Sequence, residues 1–494
     1  MDPIFELHLS LPPKGSRDAV EILCSQLRDA IVDGRLAPGA QLPATRKAKA
    51  LFGVSRNTCA TVYETLLSAG YLTSRQGSGT FVSLRLPAAP RSPLQVSEPD
   101  GRLNPLWLSS DVISDMGFWR EPQTREAAAK PVAADFRPAL VDPQHFPHDV
   151  FRRISTRQLR RLERKPASLR SPQGNQGNFG LRNAVIQHIA VTRAIAGRPD
   201  DVLVTSGAQQ AFDLLARILV RPGKTVVAIE NPGFPPMRVP FTAAGAVLVP
   251  VPVDEEGLIV DALPAETRII CVTPSHQFPL GTAMSPARRQ ALLAYARARG
   301  AVIVEDDYDG EFRHDGSPLE ALKAADTADV VFYVGTFSKC MLPSLRLGFI
   351  VAPDWAMRAL IAAKNALDWH CSTPLQVTVA AFISEGHLVQ HVRKMRDLYG
   401  RRRELLRRAF HGPLSKWFEP IPSFYGMHTT AIARPGIDVE SAAVQVLDDG
   451  VRIHTLKRYY LGAPSRTGLV FGYGAAEPTQ LALGIEKLCQ ALSQ

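Results

Sequence analysis

Lys339 closes the run Thr336-Phe337-Ser338-Lys339, and Arg346 follows within the same stretch. A lysine at the end of a buried strand is the amine that forms a Schiff base with an aldehyde. Hydroxyls and a guanidinium beside it are groups that hold a phosphate. Upstream, the apolar Val302-Ile303-Val304 runs straight into Glu305-Asp306-Asp307-Tyr308. Three successive acids after a buried strand are costly unless they serve a site at its carboxyl end. A carboxylate beneath a pyridine nitrogen keeps that nitrogen protonated and the ring an electron sink, and a phenol can bond the ring's hydroxyl oxygen. Thr205-Ser206-Gly207-Ala208-Gln209 leaves a strand and opens a helix, whose first amides and positive pole cradle a phosphate. Each motif alone is ordinary loop chemistry of an α/β protein. Together they describe a site for pyridoxal 5′-phosphate with Lys339 as the Schiff-base residue.

Such a site needs a buried, mostly parallel sheet. Short β-branched runs at Val202–Val204, Thr225–Ile229, Ala246–Val249, Ile269–Val272, Val302–Val304, Val330–Val334 and Leu347–Val351 read as strands covered on both faces. Helical runs separate many of them, so residues from about 131 onward read as one α/β domain. Residues 83–130 hold Pro87, Pro90, Pro93, Pro99, Pro105 and Pro122 without sustained periodicity and read as a linker.

The first part of the chain is different. Val20, Leu23, Leu27 and Ile31 recur at helical spacing, and Gly34 and Pro38-Gly39 break the pattern. A short helix is expected over Arg46 to Phe52, a turn at Gly53-Val54, and a third helix from the N-cap Ser55 to about Ser68. With Cys59, Val62, Tyr63 and Leu66 inward, its exposed start carries Ser55, Arg56, Asn57, Thr58 and Thr61. Arg and Asn read base edges in a major groove, and Ser and Thr hold phosphates. Tyr71 to Val82 reads as two strands around a Gly-rich wing, with Arg75 and Gln76 placed to reach the DNA backbone or minor groove.

The bulk properties are permissive. Among 494 residues, 57 Lys and Arg against 47 Asp and Glu leave a charge of +10, which suits a polyanionic partner without requiring one. No stretch of about 20 apolar residues spans a membrane, and Met1 to Leu11 lacks the basic start of a secretory signal; a cytoplasmic protein is expected. Six scattered cysteines without a CxxC pair predict neither disulfides nor a metal site.

Leu42-Pro43-Ala44-Thr45-Arg46, Phe52 to Thr58 and Gly77-Ser78-Gly79-Thr80-Phe81-Val82 resemble the GntR-type winged helix. That resemblance implies a DNA-binding helix-turn-helix domain over 12–82 with Arg46, Arg56, Thr58 and Gly79 at or near DNA. Glu230-Asn231-Pro232-Gly233-Phe234, Thr273 to Gly281, Glu305 to Phe312, and Ser338-Lys339 with Arg346 resemble the fold type I (class I) aminotransferases, more closely the aminotransferase-like domain of MocR-type regulators. The implied architecture is multidomain: a winged helix, a linker over 83–130, and an aminotransferase-like α/β domain over 131–490, with about 385–490 as its smaller C-terminal α+β subdomain. The same resemblance gives Asp306 to the pyridine nitrogen, Tyr308 to the phenolic oxygen, and Gly207, Ala208, Gln209, Ser338 and Arg346 to the phosphate. It sets Phe234 over the ring face and Ser275 and His276 beside the cofactor.

The sequence departs from active aminotransferases near its end. Val470, in Gly468-Leu469-Val470-Phe471-Gly472-Tyr473, stands roughly where those enzymes carry the arginine that clamps a substrate carboxylate. Arg238 and Arg458 remain as candidate effector anion contacts. The expected function is that of a pyridoxal-phosphate-dependent, homodimeric transcriptional regulator. It would bind double-stranded promoter DNA and answer to a small amine, amino acid or B6 vitamer. The alternative is an aminotransferase with a DNA-binding appendage.

Overall fold

The computed structural model describes residues 18–75, 78–84, 103–119, 132–164, 174–314 and 319–493. The chain divides into two compact units, residues 1–100 and 101–494.

In the first unit, α1 (Ala19–Val32), α2 (Thr45–Phe52) and α3 (Arg56–Ser68) pack over a three-stranded sheet of β1 (Gln41–Leu42), β2 (Leu72–Arg75) and β3 (Gly79–Val82), ordered β1-β3-β2. The spacing of Leu23, Leu27 and Ile31 puts them on one face, where they meet Cys59, Val62, Tyr63 and Leu66 of α3. Gly53 takes the left-handed conformation that ends α2. Ser55 then caps α3, its hydroxyl accepting from the Thr58 amide at 3.0 Å. The wing is a hairpin as expected, but Gln41–Leu42 adds a third antiparallel strand, Gln41 opposite Phe81. The Gln41 amide donates to the Ser78 carbonyl at 2.7 Å and anchors the wing.

The second unit opens with α4 (Ser110–Met116), β4 (Ala134–Asp135), α5 (His148–Glu163) and α6 (Phe179–Arg193). Then follow β5 (Val202–Thr205), α7 (Ala208–Leu219), β6 (Val226–Asn231), α8 (Pro235–Ala243), β7 (Val247–Asp254), β8 (Gly257–Leu258), β9 (Thr267–Val272), α9 (Pro286–Arg299), β10 (Val302–Asp307), β11 (Val331–Thr336) and β12 (Gly348–Val351). The eight strands β5 to β12 form one sheet ordered β5-β12-β11-β10-β9-β6-β7-β8, with β11, β10, β9, β6 and β7 parallel. All seven apolar runs read from the sequence fall in this sheet. Side chains alternate between its faces: Phe332 and Val334 of β11 join the core under α7 and α8, while Val331 meets α9.

The chain continues through α10 (Asp354–Leu367), α11 (Thr373–Ser384) and the long α12 (His387–His411). A second, antiparallel sheet, ordered β13-β14-β17-β16, is built from β13 (Phe418–Pro420), β14 (His428–Ala433), β16 (His454–Thr455) and β17 (Gly468–Gly472). It is accompanied by α13 (Val439–Asp448) and α14 (Pro478–Leu492), and β15 (Val451–Arg452) pairs in parallel with β4.

The described part of the stretch read as a linker is not a free connection. Asn104 and Ser109 cap a short 3-10 turn over Pro105–Leu108 and then α4. Val112 and Phe118 bury their side chains in the second unit. Of the prolines that suggested a linker, Pro105 opens the 3-10 turn of this strap, and Pro87, Pro90, Pro93, Pro99 and Pro122 lie outside the described residues.

Some arginines of α12 are engaged within the fold. Arg402, wholly buried, bonds Asp142 at 2.7 Å and Glu477 at 3.0 Å, and Arg407 and Arg408 pair with Glu404. Among the described residues, no helix is long and apolar enough to cross a membrane.

Candidate functional site

A cavity of about 970 Å³ opens at the carboxyl ends of β5, β10 and β11, the crevice where open α/β sheets bind ligands. Of the residues read from the sequence, Ala208, Gln209, Phe234, Asp306, Tyr308, Ser338, Lys339 and Arg346 line it.

Alternation along β10 sorts its acids. Asp306 shares a face with Val304, on the α7 and α8 side, and faces the cavity; its Oδ1 is buried without a hydrogen-bond partner. Asp307 points away, into an ion pair with Arg193 at 2.6 Å and a hydrogen bond from the Tyr333 hydroxyl at 2.6 Å. Glu305 accepts from the amides of Leu322 and Lys323. One of the three acids is thus left for a ligand. Burial, with Asp307 and Asp309 nearby, holds the Asp306 carboxyl well above the usual range. A cationic donor at the orphaned oxygen would stabilise the ionised form that burial disfavours.

Lys339 lies three residues past the end of β11. Its Nζ donates to the Ala139 carbonyl at 2.7 Å. Burial pushes its ammonium down to about 8, against the pull of Asp309 and Asp306. Gly207 stands at the start of α7 with φ 86°, and a Cβ there would come within 3.1 Å of the Arg346 guanidinium. Arg346 also donates to the Ser206 carbonyl at 3.1 Å. A bare backbone, a helix N-terminus and an arginine thus meet in one cradle. Ser338 accepts from Thr336, which also faces the cavity.

Ser275 and His276 stand behind this wall. His276 Nδ1 lies 2.8 Å from the Tyr308 hydroxyl and 3.0 Å from Asp309, and its Nε2 lies 3.3 Å from Ser423 Oγ. Burial pushes the imidazole down to about 3, so it is neutral and positions Tyr308. Ser275 accepts from Arg193. Phe234 makes edge contacts with Phe118 and Phe278.

The two arginines read as anion contacts are not brought to the cavity. Arg238 is buried, donates to the Tyr459 carbonyl, and has Asp115 at 3.7 Å. Arg458 donates to the Phe118 carbonyl at 2.6 Å and lies over the Phe118 ring. Both hold the strap, a role no spacing rule reveals. Val470 is fully buried in β17.

Sequence reasoning missed the strap's share of the wall, Trp107, Asp115 and Met116. The signal was present in the Asn104 and Ser109 caps ahead of Val112 and Met116, but the surrounding prolines outweighed it.

In the first unit, Arg46, Ser55, Arg56, Asn57, Thr61, Arg75 and Gly79 are exposed and Thr58 is half-buried. The Arg75 guanidinium lies 5.1 Å over the Phe81 ring. Gly79 has φ 112°, and a Cβ there would meet the Gln41 amide at 2.8 Å. Gln76 lies outside the described residues.

Residues 21–82 match the family of bacterial regulatory proteins of the gntR type, and residues 148–475 match the class I and II aminotransferases. The chain is 34% identical to the probable rhizopine catabolism regulatory protein MocR of Rhizobium meliloti, over 95% of this chain and 92% of that protein. It is 32% identical to the HTH-type transcriptional regulator TauR of Rhodobacter capsulatus, over 98% of each. Among solved structures, the α-aminoadipate aminotransferase LysN of Thermus thermophilus, complexed with N-(5′-phosphopyridoxyl)-L-leucine, superposes with a TM-score of 0.67 at 26% identity, covering 77% of this chain and 96% of LysN.

Proposed function

Because this chain belongs to the MocR-type regulators of the GntR family, in which a winged helix is fused to an aminotransferase-like domain, we propose that it binds promoter DNA as a homodimer. In this reading it holds pyridoxal 5′-phosphate and changes its DNA affinity when a small amine, amino acid or B6 vitamer enters the cofactor cavity. The observation that carries the proposal is that Lys339 and Asp306, a buried carboxyl with an orphaned oxygen, line the same cavity.

The residues present fit the cofactor. Lys339 would supply the amine that holds its aldehyde carbon, and Asp306 would accept from its ring nitrogen. Tyr308, steadied by His276, would be the partner of its phenolic oxygen, and Phe234 would offer an apolar face to the ring. Ser206, Gly207, Ala208, Gln209, Ser338 and Arg346 offer amides, hydroxyls and a cation to its phosphate. When bound, the cofactor supplies an electrophilic carbon that exchanges one amine for another. In the winged helix, Ser55, Arg56, Asn57, Thr58 and Thr61 enter the major groove. Arg46, Arg75, Gln76 and Gly79 lie along the backbone or minor groove.

The test joins mass and DNA binding. Borohydride reduction of the purified protein leaves the cofactor's mass on the Lys339 peptide, and Lys339→Ala carries none. DNA flanking its own gene shifts specifically, an amine panel alters the shift, and Lys339→Ala no longer responds. An unmodified Lys339 peptide overturns the cofactor assignment. Asp306, Tyr308 and Lys339 together on the cavity wall also favour a second reading, transamination; sustained turnover with a keto acid and no specific DNA shift would establish it instead.

A further inference from the structure

Behind the cavity wall, two side chains compete for one nitrogen. His276 Nδ1 lies 2.8 Å from the Tyr308 hydroxyl and 3.0 and 3.2 Å from the two oxygens of Asp309. His276 and Asp309 are both buried, so water does not settle the contest. A bare imidazole nitrogen accepts a hydrogen bond, whereas a protonated one donates. The tautomer of His276 therefore decides what Tyr308 and Asp309 can each do.

The other ring nitrogen shows the balance. Nε2 lies 3.3 Å from Ser423 Oγ, and that hydroxyl donates its one proton to the Tyr425 carbonyl at 3.2 Å. Ser423 Oγ thus accepts from Nε2–H, and the neutral ring has Nδ1 bare. In this tautomer Nδ1 accepts from the Tyr308 hydroxyl, and Asp309 beside the same lone pair is suited by its protonated form. An ionised Asp309 reverses the arrangement. Nδ1 then carries the ring proton and donates to the carboxylate, while Nε2 accepts from Ser423. The net change is one proton lost from the Asp309–His276 pair. Tyr308 no longer has an acceptor at Nδ1, and its hydroxyl proton is free for the cavity that it lines.

The surroundings put this change within reach. Burial pushes the Asp309 carboxyl up to about 7, with Glu311 adding to it and His428, Lys339 and Arg193 pulling against it. Asp306, Asp307 and Tyr473 also lie within the field of its charge. His428 is held in one state: its Nε2 lies 2.8 Å from the Pro279 carbonyl, and burial pushes the imidazole down to about 3.

We propose that Asp309 is a positioning residue for the cofactor: through the tautomer of His276 it directs the Tyr308 hydroxyl either back onto the imidazole or forward onto the phenolic oxygen of pyridoxal phosphate. The proposal rests on the cofactor reading above and adds the group that governs one of its contacts.

The experiment measures equilibrium binding of pyridoxal phosphate to the full chain, by fluorescence quenching, from about pH 6 to about pH 8.5. As Asp309 ionises, the parent's affinity rises by about tenfold, the worth of one hydrogen bond. This step comes on top of the rise from Lys339 deprotonation, which every variant that keeps Lys339 shares. Asp309→Asn carries no charge at any pH, so its profile keeps the Lys339 rise and loses the step. His276→Gln has no second tautomer and loses it as well, which decides the matter if Asp309→Asn does not fold. Tyr308→Phe also lacks the step, and adding Asp309→Asn to it changes nothing further, because both act on one contact. A step that survives Asp309→Asn overturns the proposal. So does an equal weakening by Asp309→Asn with and without Tyr308→Phe, the mark of a carboxyl that is merely structural. Borohydride reduction that leaves no cofactor on Lys339 removes the functional reading itself, whereas a trapped cofactor and a parent profile without the step remove this proposal alone.

Discussion

Lys339 is an amine made available by burial. Its ammonium is pushed down to about 8, so it is protonated below that pH and neutral above it. Only the neutral amine attacks an aldehyde. The rate at which the apo protein takes up pyridoxal phosphate therefore rises about tenfold between roughly pH 7 and pH 9 and then levels off. Stopped-flow absorbance checks this, and a rate still climbing past about pH 10 would show an ordinary solvent lysine instead. Asp306 tests the other side of the ring. Asp306→Asn keeps the shape and removes the charge that a pyridinium donor needs. Cofactor affinity falls by about 10- to 100-fold, the range of a charge-assisted hydrogen bond, while the secondary structure read by circular dichroism is unchanged. An affinity within about twofold of the parent would remove Asp306 from this role. The candidate site was largely legible at this scale because each motif sits at a strand end. The doublet Asp306-Asp307 needed only the two-residue period of β10 to decide which acid faces the cavity. Arg238 and Arg458 were not legible, since whether an arginine meets a ligand or a carbonyl depends on contacts more than 200 residues away in sequence.

At the scale of elements, the strands of the large sheet could be read because they are covered on both faces and their apolar runs are unbroken. The small sheet was harder: β13 and β16 span three and two residues, too short for any pattern. The strap was misread for another reason. Helix propensity weighs against a segment flanked by prolines, and what holds α4 is tertiary: Phe118 lies edge-on to Phe234, His454 and Tyr459, and its carbonyl accepts from Arg458. Truncating a buried phenylalanine costs about 3–5 kcal/mol, more than a seven-residue helix returns by itself. Phe118→Ala therefore releases the strap before the sheet unfolds. Limited proteolysis cuts within residues 103–119 at a rate at least about tenfold above the parent, while thermal unfolding of the aminotransferase-like core persists as a separate transition. Loss of both together would mean that the strap is integral to the core.

For the whole molecule, the winged helix has its own core of Leu23, Leu27, Val62 and Leu66 and forms a compact unit distinct from the aminotransferase-like part of the chain. Each copy thus brings one α3 to a groove. In the proposed homodimer, two such helices take two half-sites on one face of the duplex, spaced by whole helical turns of about 10 bp. Inserting about 5 bp between the half-sites turns one of them to the opposite face and leaves a single arm bound. Two effects follow from the same cause. Affinity falls by about 100-fold or more, because the second arm no longer benefits from the effective concentration set by the first. The slope of log affinity against log salt falls to about half, because half of the phosphate contacts are gone. General loss of DNA binding would lower affinity without halving the slope, and a monomer with one winged helix would show neither change. Gel-shift titrations at several salt concentrations, on operators with the native spacing, with about 5 bp inserted and with about 10 bp inserted, separate these cases. An affinity and slope indifferent to a half-turn insertion would rule out paired winged helices as the DNA-binding form.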